Sequence, residues 1–288
     1  MKTAIITDSN SGMTADEAKK ADIIVIPMPV TIENEIYHEG VDLSPIQFCE
    51  ALMQHKPVHT SQPSPGELTD IWDEALENGY DDIVYIPMSS GLSGSCNTAK
   101  VFADDYEGKV SVVDNHRISV TLRHAVEDAV ILRDRGLNAQ AIKETLEKNA
   151  LNSKVYVGVA TLEHLKASGR VTAAGAAIGT LLNIHPLLVI QGGKLDAYAK
   201  VRGTISCQMK LVQAIHKELD RYKEAGVPYK IGVAGSFYDP EERQKWIDLV
   251  HRSFPDEEIH YDPLTISITA HTGVNAFGMG ISQTEESL

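Results

Sequence analysis

Long apolar runs are missing from this sequence. None approaches the ~20 residues that a helix needs to cross a bilayer, and the chain opens on Lys2 and a short strand pattern, not on the apolar core of a secretion signal. The expectation is a soluble, cytoplasmic protein without integral membrane association. Cysteine is scarce: Cys49, Cys96 and Cys207 are odd in number and far apart, so a disulfide framework is not implied. Positive charge is short as well. Against 40 acidic residues stand 26 basic ones, a net charge of −14, so the surface repels phosphate backbones and no nucleic-acid partner is expected. Aromatic residues make up only 6% of the chain. The walls of any cavity are therefore aliphatic, which suits an alkyl chain better than a stacked base.

Cofactor motifs are absent too. No G-x-G-x-x-G follows a strand, and there is no G-x-x-x-x-G-K-[ST], H-E-x-x-H or C-x-x-C, so dinucleotide, P-loop and zinc chemistry lose their usual support and no cofactor or metal is expected. His55 and His59 are four apart, but Pro57 between them breaks the helix that would face them together.

What is present is organised around residues 83–99. Ile83-Val84-Tyr85-Ile86-Pro87-Met88 reads as a strand, Ser89-Ser90-Gly91-Leu92-Ser93-Gly94 as a tight loop, and the residues from Ser95 as a helix. Such a junction aims unpaired backbone N–H groups and the positive end of a helix dipole at one point, with hydroxyls ready to donate. That point suits a carboxylate or a phosphate. The same residues also serve as the glycine turn and serine cap that any strand-to-helix connection needs.

The rest of the first half repeats this βα texture. Thr14 with Glu17, Ser44-Pro45 with Gln47, and Ser64-Pro65 with Glu67 are capping boxes that open helices. A Glu33-Asn34 turn predicts a hairpin. From Val155 the texture changes: a strand, an alanine and glycine helix over 173–182, a strand over 187–191, a Gly192-Gly193 hairpin turn, a long helix over 204–225, a strand over 230–234 and a helix reaching about 254. Short strands are expected around His271-Thr272-Gly273 and Phe277-Gly278-Met279-Gly280. The prediction is two α/β domains: 1–152, a mostly parallel sheet flanked by helices, and 153–288, a mixed sheet with helices.

Hydroxyls are more conspicuous than bases: Thr60-Ser61 before one helix, Ser89-Ser90 and Ser93 before the next, and His271-Thr272 late in the chain. If their strands end on one sheet edge they converge on one anion, and neutral donors suit a carboxyl better than a triphosphate. Turn residues and a structural histidine are the plainer reading of the same positions. The small residues of the 173–182 helix, with Gly175 and Gly179 four apart, mean close packing or leave volume beside Leu181, Leu182, Leu187 and Leu188 for an apolar ligand. A serine hydrolase acting on a small ester, with Ser93, His271 and Asp114, is the alternative; Gly91-Leu92-Ser93-Gly94 is only loosely similar to a nucleophile elbow. Between Lys166 and Lys210 six basic residues meet one acid, Asp196. Inside a strongly negative chain this reversal marks a solvated face or a docking face.

Taken in order, Thr7-Asp8-Ser9, Thr60-Ser61-Gln62-Pro63-Ser64, Ser89-Ser90-Gly91-Leu92-Ser93-Gly94, Ser168-Gly169-Arg170-Val171, Gly179-Thr180-Leu181-Leu182-Asn183-Ile184-His185-Pro186, Lys200-Val201-Arg202-Gly203 and His271-Thr272-Gly273 resemble the DegV family of bacterial fatty-acid-binding proteins. The resemblance spans nearly the whole chain. It implies a non-catalytic α/β protein that holds a long-chain fatty acid in a tunnel at and beyond the domain interface. Thr60 and Ser93 would bond the carboxyl, with Gly94 N–H and His271 beside it. It also implies a role in phospholipid synthesis, presenting the carboxyl to a separate fatty acid kinase subunit that makes the acyl phosphate, with Arg170 and Arg202 facing that partner. Asp114-Asn115, Val120-Thr121-Leu122-Arg123 and His185 depart from the family's usual residues. These departures bear on the shape of the tunnel and leave the carboxyl clamp intact.

Overall fold

The computed structural model describes residues 2–177 and 184–285. The three capping boxes are present as read. Helices Ala15–Lys20 (α1), Pro45–Met53 (α2) and Pro65–Glu77 (α3) each begin with a reciprocal pair of bonds between the cap hydroxyl and the N3 backbone and between the N3 side chain and the cap N–H. Strands Thr3–Asp8 (β1), Ile23–Ile26 (β2), Pro29–Ile32 (β3), Glu35–His38 (β4), Val58–Thr60 (β5), Asp82–Ile86 (β6) and Val110–Val112 (β7) alternate with these helices and with Ser95–Ala103 (α4), Val120–Asp134 (α5) and Ala139–Lys148 (α6).

Four of these strands form a parallel sheet in the order β2-β1-β6-β7. Every residue of β1 is buried, as expected where helices cover both faces. Ala4, Ile6 and Tyr85 pack with Leu68 and Trp72 of α3 and Cys96 and Ala99 of α4, while Ile5 and Val84 meet Leu122 and Val126 of α5 and Ile142 of α6. Burial pushes the Cys96 thiol up to about 12, so it is a core filler. The predicted hairpin exists, and β5 joins it in a small antiparallel sheet ordered β4-β3-β5.

The later residues form Ser153–Gly158 (β8), Glu163–Ser168 (α7), Ala173–Ala176 (α8), Ile184–Ile190 (β9), Asp196–Arg202 (β10), Thr204–Ala225 (α9), Tyr229–Gly235 (β11), Pro240–Ser253 (α10), Ile259–Pro263 (β12), Ile266–Thr272 (α11) and Phe277–Gln283 (β13). Their sheet is mixed, ordered β10-β9-β8-β13-β11-β12, with only β11 and β12 parallel. Leu211, Ile215 and Leu219 of α9 and Trp246 of α10 fill its outer face. On the other side the first turn of α5 rests directly on the sheet. A Cβ on Gly280 would come within 2.7 Å of Val120 and Thr121, and one on Gly232 within 2.5 Å of Val120.

Two readings change. The short strand expected around His271-Thr272-Gly273 is instead the end of helix α11; its β-branched isoleucines and threonines favour extended chain, and the acceptor that Glu39 supplies to its first N–H groups outweighs that propensity. Helix α7 also forms, where the sequence reads only as a strand leading onward. The extension of the alanine and glycine helix from 178 through Leu182, and Leu181 and Leu182 as cavity walls, lie outside the described residues. Leu187 and Leu188 are fully buried in the core. Among the described residues no helix is long and apolar enough to cross a membrane.

Candidate functional site

The carboxyl ends of β1 and β6 meet at one carboxylate. Asp8, which closes β1, accepts Met88 N–H at 2.8 Å and the backbone and side-chain N–H groups of Asn10 at 3.0 Å each. The loop after β6 is wound tightly on itself. Leu92 and Ser93 N–H both donate to Ser89 O (3.0 and 3.2 Å), Gly91 N–H donates to Ser89 Oγ (3.1 Å), and Ser93 Oγ accepts Ser95 N–H at the start of α4 (3.2 Å).

Thr60 arrives from another sheet. It ends β5, where pairing with Val30 and the Ser61 N–H bond to Pro29 O (3.2 Å) fix its direction. From the far end of the chain, α11 brings His271, whose Nε2 is 2.8 Å from Thr60 Oγ1. Arg170, just past α7, donates Nε–H to Leu92 O at 3.3 Å and Nη1–H to Ser168 O.

These groups line one cleft, with Asn10, Met28, Ser61, Gln62, Met88, Leu92, Ile118, Ser267, Ile268 and Thr272. The lining holds five hydroxyls and the Arg170 guanidinium, and no carboxylate. Burial, with Arg170 and the His164 ring nearby, pushes His271 down to about 4. The imidazole is therefore neutral at physiological pH, and Arg170 supplies the positive charge. One wall of the cleft is apolar, formed by Met28, Met88, Leu92, Ile118 and Ile268, and Leu92 and Ile118 continue into the packed cluster of Val157, Leu162, Leu165, Leu188 and Ile190. A cleft with neutral donors, one cation and a greasy wall accommodates an amphiphile with an anionic head.

Of the residues singled out in the sequence, Thr60, Ser93, His271 and Arg170 come together here. Gly94 lies beside them as the exposed N-cap of α4. Arg202 does not join them: it stands exposed at the end of β10, paired across the strand with Ile184. The hydrolase trio is not assembled, since His271 Nε2 faces Thr60, Ser93 Oγ faces Ser95 N–H, and Asp114 faces Ser90 N–H (3.3 Å), His116 (3.5 Å) and Lys100 (3.6 Å). Asn10 and Ser267 were missed. Asn10 directly follows the Thr7-Asp8-Ser9 motif, a usable signal; Ser267 lies in no motif and carries none.

Comparison with known proteins finds relatives over nearly the whole chain. A family model described as "Uncharacterised protein, DegV family" matches residues 2–284. A DegV domain-containing protein of Deinococcus radiodurans is 32% identical over 282 residues, covering 98% of each chain. Among solved structures, a DegV family protein from Thermus thermophilus, described for its fatty acid binding, superposes with a TM-score of 0.86 at 26% identity over 98% of this chain and 100% of its own. DegV from Bacillus subtilis, described as a fatty acid binding protein, gives 0.84 at 27% identity over 99% and 100%.

Proposed function

The chain belongs to the DegV family, and on that premise we propose that it binds a long-chain fatty acid without transforming it. The carboxyl lies in the cleft, bonded by Thr60 and Ser93 with Gly94 N–H and His271 beside it. The acyl chain runs behind Leu92 and Ile118 into the interior, between an N-terminal domain, 1–152, and a C-terminal domain, 153–288. The observation that carries this reading is the composition of the cleft: five hydroxyls, a neutral histidine and one arginine at the end of an apolar wall, with no acid to oppose an anion.

The energetics divide the labour. Burying an alkyl chain gains ~0.8 kcal/mol per methylene, on the order of 10 kcal/mol for about sixteen carbons before ordering costs. Affinity therefore resides in the interior, and the hydroxyls set the orientation of the head. Holding the carboxyl at an open mouth suits presentation to a second protein, and we assign that partner as a fatty acid kinase catalytic subunit, docked in the cytoplasm on the basic segment that carries Arg170 and Arg202.

Organic extraction of the purified protein, followed by mass spectrometry, tests the reading. A long-chain fatty acid recovered in near-stoichiometric amount is expected. Recovery of none, together with failure to take up added fatty acid, overturns it. Covalent labelling of Ser93 by a fluorophosphonate would instead favour the hydrolase.

A further inference from the structure

Glu39 follows β4 in the small antiparallel sheet, far in sequence from the cleft residues of α11, and it is 8% exposed. Its carboxyl receives Ile266 N–H, Ser267 N–H (3.4 Å) and the Ser9 hydroxyl (2.9 Å), and lies 2.9 Å from Ser267 Oγ. Ile266 and Ser267 are the first two residues of α11, and Thr265, at the cap position, makes no side-chain cap bond. A helix of seven residues with β-branched side chains has little intrinsic stability, and its first N–H groups need an acceptor. Glu39 is that acceptor.

We propose that Glu39 is a positioning residue for the carboxyl site, pinning the first turn of α11 so that His271 meets Thr60 and Ser267 meets Asn10. This rests on the fatty-acid reading of the cleft. Glu39 itself does not line the cleft; it acts through the helix. Its own backbone is tied to the cleft, since Glu39 N–H donates to Met28 O at 3.1 Å, and Met28 N–H donates to Ser9 Oγ at 3.1 Å. Hydrogen counting supports the anchor. Asn10 Nδ2 is committed to Asp8, so Asn10 Oδ1 is the acceptor facing Ser267 Oγ at 2.6 Å. Ser267 has one hydroxyl hydrogen for two oxygens, and a protonated Glu39 resolves the conflict by donating to Ser267, which donates to Asn10. Burial raises the Glu39 carboxyl, in keeping with that assignment.

The test compares Glu39→Ala and Glu39→Gln with the unaltered protein, titrating each with palmitate and with the matching alcohol, hexadecanol. Glutamine keeps a carbonyl for the helix N–H groups and a donor for Ser267. Glu39→Ala is expected to weaken palmitate by about tenfold or more and hexadecanol by less than about twofold, and to shift the His271 ring resonances of the ligand-free protein. Glu39→Gln is expected to restore both. Should Glu39→Ala fail to fold, Glu39→Asp, too short to reach Ile266 N–H, takes its place with the same expected selective loss. Unchanged palmitate affinity with unchanged His271 resonances, or equal loss for acid and alcohol, overturns the proposal. If the unaltered protein itself binds acid and alcohol alike, the carboxyl reading fails instead, and the His271 resonances alone decide the role of Glu39.

Discussion

Thr60 Oγ1 lies 2.8 Å from His271 Nε2, a contact that closes 211 residues of chain. It joins the small antiparallel sheet to α11 at the edge of the cleft, so the hydroxyl proposed to meet a carboxyl is held in place by the histidine ring. Thr60→Val keeps the shape and deletes the hydroxyl; Ser93→Ala does the same on the opposite loop. Each is expected to weaken fatty acid binding by about tenfold, near 1.4 kcal/mol, and fatty alcohol binding hardly at all. Calorimetric titration with both ligands checks this. A parallel loss for acid and alcohol would place the hydroxyls outside the head-group contact.

Protonation of His271 gives a pH signature. Its pKa falls from 6.5 to about 4 in the fold, first through burial and then through Arg170 and His164. The unfolded chain therefore binds more protons between pH 6.5 and 4, and stability rises with pH across that window. The contribution is complete above pH 6.5 and lost as pH falls toward 4, on the order of 3 kcal/mol in all. Buried carboxyls raised by desolvation, Asp8 and Glu39, act in the opposite sense, so the informative quantity is the difference between the unaltered protein and His271→Gln. Urea unfolding at intervals from pH 7 to 4 should show that difference shrinking as the medium becomes more acid.

Much of the fold was legible because local chemistry agreed with it. The Thr14, Ser44 and Ser64 caps, the Glu33-Asn34 hairpin and the strand-loop-helix around Ser93 each depend on neighbours in sequence. Helix α11 was not legible, because Ile266 and Ser267 are capped by Glu39 from another sheet, and no pattern within residues 266–272 records that. The same cause hid Ser267 as a lining residue, whereas Asn10 directly follows the Thr7-Asp8-Ser9 motif and was within reach. Thr60, Ser93 and His271 were found through motif order. Arg170 was found too, but as a partner contact; that it also lines the cleft depends on the α7 turn folding back onto Leu92 O.

The two arginines of the basic segment should therefore part company. Arg202 is exposed and not among the lining residues, so Arg202→Met is expected to leave fatty acid affinity within about twofold while lowering acyl phosphate formation by an added fatty acid kinase. Arg170→Met removes the positive charge of the cleft and is expected to weaken the acid by about three- to tenfold, with the loss shrinking as salt is raised. Titrations at low and high salt, paired with the coupled assay, separate the two outcomes.

Arg123 ties α1 and α5 to β12. Its guanidinium reaches Glu17 at 2.5 Å, Asp262 at 3.0 Å and Glu127 at 3.1 Å, while His260 also faces Asp262 at 3.0 Å. This bond draws Glu17 down to about 2, while burial raises Asp262. Arg123→Met leaves the Asp262 carboxylate buried against a single histidine, and is expected to cost about 3–5 kcal/mol in urea unfolding near neutral pH. Because Asp262 loses its strongest partner its pKa rises further, so the penalty should be smaller at pH 5 than at pH 8.

The Ser93 loop is held by a backbone-to-backbone contact that admits no side chain. A Cβ on Gly91 would lie 2.8 Å from Gly192 O and 2.8 Å from Gly193 Cα, and Ser89 Oγ donates to the same Gly192 carbonyl at 3.2 Å. The turn between β9 and β10 thus sits directly on the loop, and neither partner is a flexible side chain that could move aside. Gly91→Ala is expected to lift the loop from the turn, costing about 1–3 kcal/mol and weakening fatty acid binding as Leu92 and Ser93 shift. Gly193→Ala is the matched control, since its Cβ would meet nothing within 4 Å, and it should alter neither quantity. Urea midpoints and palmitate affinities for the pair decide the matter: if Gly91→Ala behaves like Gly193→Ala, the loop and the hairpin are free to separate and the cleft does not depend on their contact.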